Sequence, residues 1–296
     1  IQGFVSIEWG DYAAPRHRYY AFNKNTGDIV WVSTPGGAVY DFNVYSTPVV
    51  AMIGGQRLLI AGGADGNIYA MKVRTGEKVW GFNLSKRGIN ASVVVQGDKV
   101  YAMHSEENLD EATMGRVVCI NGIGKGDITK TNELWRYDRL EVGYASPTID
   151  KDKLYVVDNS ANVYAFDAND GKLIWKHNIG TVGKGSPVIA DGKMYVTEVN
   201  GHVRILQLSD TEPKDLSEQY ITVDGTRHAE IYGSPAIAYG RVYFETEEGV
   251  YCLGDKSKKF VASPSKPVML DEKPADPNAQ PAAIQIVPAE VVISPT

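Results

Sequence analysis

The chain has 296 residues, 43% hydrophobic and 10% aromatic, with a formal net charge of -6. That is ample apolar material for a core, while the acidic balance and the absence of a lysine and arginine stripe argue against a nucleic-acid surface. No apolar run approaches the roughly 18 to 20 residues of a membrane helix, so no transmembrane segment is expected.

The first strand expected is Phe4-Val5-Ser6-Ile7-Glu8-Trp9. An insert from Gly10 to Arg18 follows, in which Arg16 and Arg18 lie among aromatics in a pattern suited to contacting an anion or a sugar. YYAFNKNTGDIVW at 19–31 then introduces a segment that recurs as IYAMKVRTGEKVW at 68–80 and VYAFDANDGKLIW at 163–175. Each copy reads as strand, tight turn, strand. Its turn glycine, Gly27, Gly76 or Gly171, needs positive φ.

A second segment recurs upstream of the hairpin, beginning at Ala145-Ser146-Pro147, Gly185-Ser186-Pro187 and Gly233-Ser234-Pro235, with weaker copies at Ser46-Thr47-Pro48 and Ala91-Ser92-Val93. These serines are expected to form turns. A full unit is therefore four short strands. Its third strand is anchored at Tyr20, Tyr69, Val118, Tyr164, Arg204 and Tyr251, about 40 to 50 residues apart, which is the period of propeller blades. The fold expected is an all-β propeller over 1–254, with six blade units visible.

The end blades are incomplete. The first lacks its Ser-Pro strand and the sixth stops after Val250-Tyr251-Cys252-Leu253. The expectation is a piece of a longer ring, then a linker rich in Pro, Ala and Lys over 255–283, and the start of a domain resembling a bacterial Ig-like domain at 284–296.

Departures from the repeat are where a site is expected, because propeller strands supply packing and loops carry function. The largest is the loop from His104 to Arg116, in which His104, Glu106, Glu107, Asp110 and Glu111 fall within eight residues. Ca²⁺ takes such oxygens, but the spacing matches no EF-hand. A solvated acidic loop without a metal is expected, with His104 as a candidate ligand or partner contact. Gly122-Ile123-Gly124-Lys125-Gly126 joins two strands and precedes no helix, which excludes a phosphate loop. In Asp224 to Tyr232, His228 and Glu230 are two apart and on a strand would share one face, where they could form an acid-base pair but have no third partner; they are candidate ligand or partner contacts. Cys119 and Cys252 occupy the slot held by Ala21, Ala70 and Ala165, so both are expected to be small buried fillers too far apart for a disulfide.

The hairpin carries a family resemblance. Ala165-x-Asp167-x-x-Asp170-Gly171-Lys172-x-x-Trp175 resembles the tryptophan-docking motif of the pyrroloquinoline quinone (PQQ) repeat, Ala-x-Asp-x-x-Thr-Gly-Lys-x-x-Trp; the other two copies carry Asn23 and Lys72 in place of the Asp. With the Ser-Pro strands the resemblance covers roughly 4–254. It implies that Trp31, Trp80, Trp135 and Trp175 are architectural, packed between blades with the indole N–H bonded there. One branch of the family comprises quinoprotein dehydrogenases, which hold PQQ and Ca²⁺ on the ring axis, often against a disulfide of adjacent cysteines. The other comprises BamB-like extracytoplasmic propellers that bind proteins or polysaccharides. The expectation is the second: a non-catalytic scaffold with no cofactor and a protein or glycan partner, located in the periplasm, at the cell surface or outside the cell. The alternative is a fragment of a PQQ-dependent dehydrogenase oxidising alcohols or sugars.

Overall fold

The computed structural model describes residues 2–5, 16–37, 44–258 and 278. The rest of the first insert (10–15), most of the linker and the Ig-like start lie outside the described residues. Among the described residues the protein is all β, with no helix.

Six sheets follow one another as blades. The first is β1 (Gln2–Val5), β2 (Arg16–Phe22) and β3 (Ile29–Ser33); the second is β4 (Val49–Ile53), β5 (Gln56–Gly62), β6 (Asn67–Lys72) and β7 (Lys78–Asn83). The third is β8 (Val94–Gln96), β9 (Lys99–Glu107), β10 (Met114–Asn121) and β12 (Glu133–Asp138), and its β10–β12 connection sends β11 (Gly126–Asp127) back to pair in parallel with β7. The fourth runs β13 (Thr148–Asp150) to β16 (Leu173–Asn178) through β14 (Lys153–Val157) and β15 (Asn162–Asp167). The fifth is β17 (Val188–Ala190), β18 (Lys193–Glu198), β19 (His202–Gln207) and β20 (Lys214–Tyr220). A hairpin, β21 (Thr222–Val223) and β22 (Arg227–His228), precedes the sixth: β23 (Ala236–Ala238), β24 (Arg241–Thr246) and β25 (Gly249–Leu253). The expected propeller of four-stranded blades is thus the observed fold, with three strands described in each end blade.

The repeated hairpin explains itself at the level of register. Ala21 pairs with Trp31, Ala70 with Trp80, Cys119 with Trp135 and Ala165 with Trp175, and in every case the register shifts at the next residue. The turn is the same in the three closely matching copies. Gly27, Gly76 and Gly171 stand at φ 81°, 72° and 74° and donate their N–H to the carbonyls of Asn23, Lys72 and Asp167.

No blade has a core of its own. The apolar clusters each span two neighbours: Tyr19 and Trp31 with Ala61 and Met71, Trp80 with Val100 and Ile120, Trp135 with Leu154 and Phe166, Trp175 with Met194 and Leu206, and Val203 with Phe244. The indoles lock these interfaces. Trp31, Trp80 and Trp135 donate Nε1–H to the carbonyls of Val73, Gly122 and Ala168 at 2.9, 2.8 and 3.1 Å, each at the same turn of the next blade. Trp175 departs from this expectation: its Nε1 is buried without a partner.

Two other expectations are corrected. Cys119 is buried, but Cys252 is exposed. It occupies the repeat slot opposite Tyr243, yet among the described residues no fourth strand follows β25 to cover it. The Ser-Pro serines do more than turn the chain. Amide donates to hydroxyl from Thr47 to Ser92, Ser92 to Ser146, Ser146 to Ser186 and Ser186 to Ser234, at 2.8, 3.0, 2.8 and 2.8 Å. Every bond crosses to the next blade, stitching the innermost strands together.

Two substitution pairs test this reading. Trp80→Phe and Trp175→Phe remove the same ring volume, but only the first strands an acceptor, so Trp80→Phe is expected to cost about 1 to 2 kcal/mol more in urea unfolding. A Cβ at Gly171 would lie 2.5 Å from Trp135 Cε3, whereas one at Gly27 would meet nothing within 4 Å. Gly27→Ala should therefore cost only the left-handed backbone term of about 1 kcal/mol, and Gly171→Ala clearly more.

Candidate partner-binding face

An antiparallel meander sorts its loops by face. In each four-stranded blade the first and third turns, including the Thr-Gly and Asp-Gly turns, lie on one face. The second-to-third-strand loops and the blade-to-blade connections lie on the other, here the connection face. The 104–116 and 224–232 departures from the repeat fall on it, and the enlarged turn at 122–126 does not.

Short loops on this face are closed by a carboxylate that sequence reasoning passed over. Asp158 accepts from the amides of Ser160 and Asn162 at 3.0 and 2.8 Å and from the Tyr164 hydroxyl at 3.1 Å. Asp65 similarly takes the Tyr69 hydroxyl at 2.5 Å. In the fifth blade Glu198, 1% exposed, gathers the amides of Thr181, Val182 and Asn200. An acid at the end of the second strand, followed by the Tyr of the third, was the available signal.

The third blade departs most. The segment 104–116 is largely a longer hairpin: β9 runs through Glu107 and β10 begins at Met114, leaving only 108–113 as loop. His104 therefore sits in a strand, 1% exposed, and cannot contact a partner at the surface. Its Nδ1 accepts the Glu106 amide at 3.2 Å. Asn108, fully buried, pinches the loop through its amide to Thr113 Oγ1 and to the Gly115 carbonyl at 2.9 and 3.2 Å. The Arg139 amide reaches the Gly115 carbonyl and the Lys86 amide the Glu107 carbonyl, at 3.0 and 3.2 Å, so the hairpin is tied to the connections on both sides.

Glu107, Asp110 and Glu111 are paired with arginines rather than gathered. Arg116, 4% exposed, donates to Asp110 at 2.6 Å and also to Asp138; Arg136 joins Asp110 to Glu133. Hydrogen bonds from Arg116, then from Arg136, hold the Asp110 carboxyl down at about 2. Glu107 faces Arg87 at 3.5 Å and Glu111 faces Arg139 at 3.9 Å. Glu106 is contacted by the neighbouring Ser105 hydroxyl at 3.4 Å. On this braced tip Leu109 and Met114 stand 39% and 41% exposed.

The other candidates are dispersed. Arg16 and Arg18 are strand residues of β2, and Arg18 is half-buried and engaged. His228 and Glu230 do not share one strand face, because β22 ends at His228. Glu230 instead accepts the Tyr232 hydroxyl at 2.8 Å, while the His228 ring centroid lies 5.9 Å from that of Tyr220.

The residues of the PQQ alternative can be tested for fit. Among the described residues no group of three or more His, Cys, Asp or Glu side chains is placed to hold a metal ion. Glu107, Asp110 and Glu111 of the tip face arginines, and Cys119 and Cys252 lie in different blades.

The family model described as outer membrane protein assembly factor BamB matches residues 11–177 and 122–251. The chain belongs to this BamB-like PQQ-repeat family. No curated protein matches it. The solved structure of BamB from Moraxella catarrhalis is similar at 16% identity and a TM-score of 0.52, with 81% of each chain covered. Quinohemoprotein alcohol dehydrogenase from Comamonas testosteroni (15%, 0.56) and a europium-containing methanol dehydrogenase (14%, 0.56) are similar over 84% and 78% of this chain. This chain spans only 52% and 58% of those two enzymes. At such identities the structural likenesses establish the fold alone.

Burial and neighbouring Arg116 hold His104 down at about 4, and burial does the same to His17. Below an ordinary pKa of 6.5 the unfolded chain takes up protons that folded His104 refuses. Stability is then expected to fall as pH drops from 6.5 towards 4 and to flatten below that. Urea midpoints across this window should show a shallower slope for His104→Asn; an unchanged slope would mean that His104 is protonated in the folded protein.

Proposed function

We propose that this chain is a non-catalytic, extracytoplasmic propeller that docks a protein partner on its connection face through the third-blade tip. One observation carries the reading: Leu109 and Met114 are held out in solvent by a hairpin whose buried Asn108 and Arg116 brace it. An exposed apolar side chain on a rigid support loses little entropy on docking, and Met is enriched at protein interfaces. Membership of the BamB-like family supports a binding role and an extracytoplasmic location. No helix among the described residues is long and apolar enough to cross a membrane.

The test is site-specific photo-crosslinking from Leu109 and Met114 in the exported chain, with Val30 on β3 as the control. A discrete cross-linked protein from the two tip positions, lost on Leu109→Asp, is expected. Cross-links equal at Val30, or saturable PQQ binding with Ca²⁺ and substrate-dependent dye reduction, would overturn the reading.

A further inference from the structure

The hydroxyl stitching of the innermost strands places another set of residues side by side. Two positions before Thr47, Ser92, Ser146, Ser186 and Ser234 stand Tyr45, Asn90, Tyr144, Lys184 and Tyr232, each at the end of a blade-to-blade connection. They form a collar on the connection face, at the axial ends of the innermost strands. Such residues repeat by position and not by identity, so repeat matching passes over them. Three of them are tyrosines, Tyr45, Tyr144 and Tyr232, and they are 69%, 50% and 53% exposed.

Lys184 sits between two of these rings. Its Nζ lies 5.1 Å from the Tyr144 centroid and 4.8 Å from that of Tyr232, which joins three successive connections. Elsewhere Lys72, Lys153 and Lys193 find carboxylates at 2.6 to 2.8 Å. Lys184 has none among the described residues. Glu230, bound by the Tyr232 hydroxyl, is not within ion-pair distance of it. The side chain is half-buried and its ammonium lies against two π faces, with no carboxylate paired to it among the described residues.

A fixed, uncompensated cation between exposed aromatics asks for an anion with apolar neighbours. We propose that this collar is a second docking point, for an acidic stretch of polypeptide whose carboxylate takes Lys184 while its neighbouring side chains pack on Tyr144 and Tyr232. A uronate sugar would supply the same charge, but sugars dock by laying a pyranose on an aromatic face, and the face each ring turns to Lys184 is occupied by Nζ. Tyrosine edges and hydroxyls around a cation suit a peptide, as tyrosine does in interface cores generally. The inference shares with the proposed function the premise that a polypeptide binds, but it uses a different site.

The test uses the full chain and a fluorescein-labelled, end-capped peptide of alternating glutamate and leucine, read by anisotropy. Saturable binding that weakens with salt is expected. Lys184→Ala should weaken it about tenfold, the loss of one charge-assisted contact, whereas Lys184→Arg and Leu109→Asp should leave it unchanged. No binding, equal binding to Lys184→Ala, or equal binding of the glutamine version of the peptide would overturn the collar. So would Lys184-dependent binding of an oligogalacturonate with none of the peptide. Cross-links from Leu109 that persist in Lys184→Ala would leave the tip standing when the collar fails, and peptide binding that persists in Leu109→Asp would do the reverse.

Discussion

Everything in this structure depends on how one blade closes against the next. A four-stranded sheet cannot bury both faces alone, so each blade borrows half its core from its neighbour, and the tryptophan of the fourth strand is the point of closure. The wedge and the turn that receives it constrain each other. Gly76 and Gly171 are needed for a left-handed backbone, and they are also where the Trp31 and Trp135 rings press, 2.5 Å from where a Cβ would be. One residue type satisfies both demands, so the repeat writes glycine there. At Gly27, where nothing lies within 4 Å, only the backbone demand is visible.

This coupling explains what was legible in the sequence. Strand, turn, bulge and wedge all lie within thirteen residues, so a local pattern encodes them, and the number of blades and the register of Ala165 on Trp175 follow from it. Contacts between blades are read far less well. The partner of the Ser146 amide is the Ser186 hydroxyl, forty residues on, and nothing in a Ser-Pro dipeptide distinguishes that bond from a turn. His104 was misread for a related reason. Its polar neighbours suggested a loop, but the hairpin continues past it and folds it inward, where its Nδ1 accepts the Glu106 amide. Cys252 went the other way: an apolar slot is buried only where a further strand covers it.

Position by position, then, the repeat specifies architecture, and function is left to the residues that the architecture does not use. Relatives of this fold include proteins named for alcohol and methanol oxidation and one named for membrane-protein assembly. The shared wedge cannot tell these apart. On the connection face this chain keeps arginine-bound acids, exposed Leu109 and Met114, and a lysine between tyrosines.

The wedge also sets a gradient along the chain. In the fifth blade the register that pairs Ala165 with Trp175 pairs Ile205 with Ser217 instead, and the bulge still follows. Around Ser217 the outer strand is held by ion pairs from Arg204 to Asp215 and Glu218, both partly exposed carboxylates. Such pairs are worth little beside a buried indole. The fifth-to-sixth interface is accordingly small, built on Val203, Ile231 and Phe244, and the one before it already carries an indole N–H without an acceptor. In an array whose stability is a sum over neighbouring interfaces, the second to fourth blades form the rigid centre. The third-blade tip stands on that centre, where a docking element loses least entropy, and the collar runs from it to the looser end, with Tyr144 on the firm side of Lys184 and Tyr232 on the soft one.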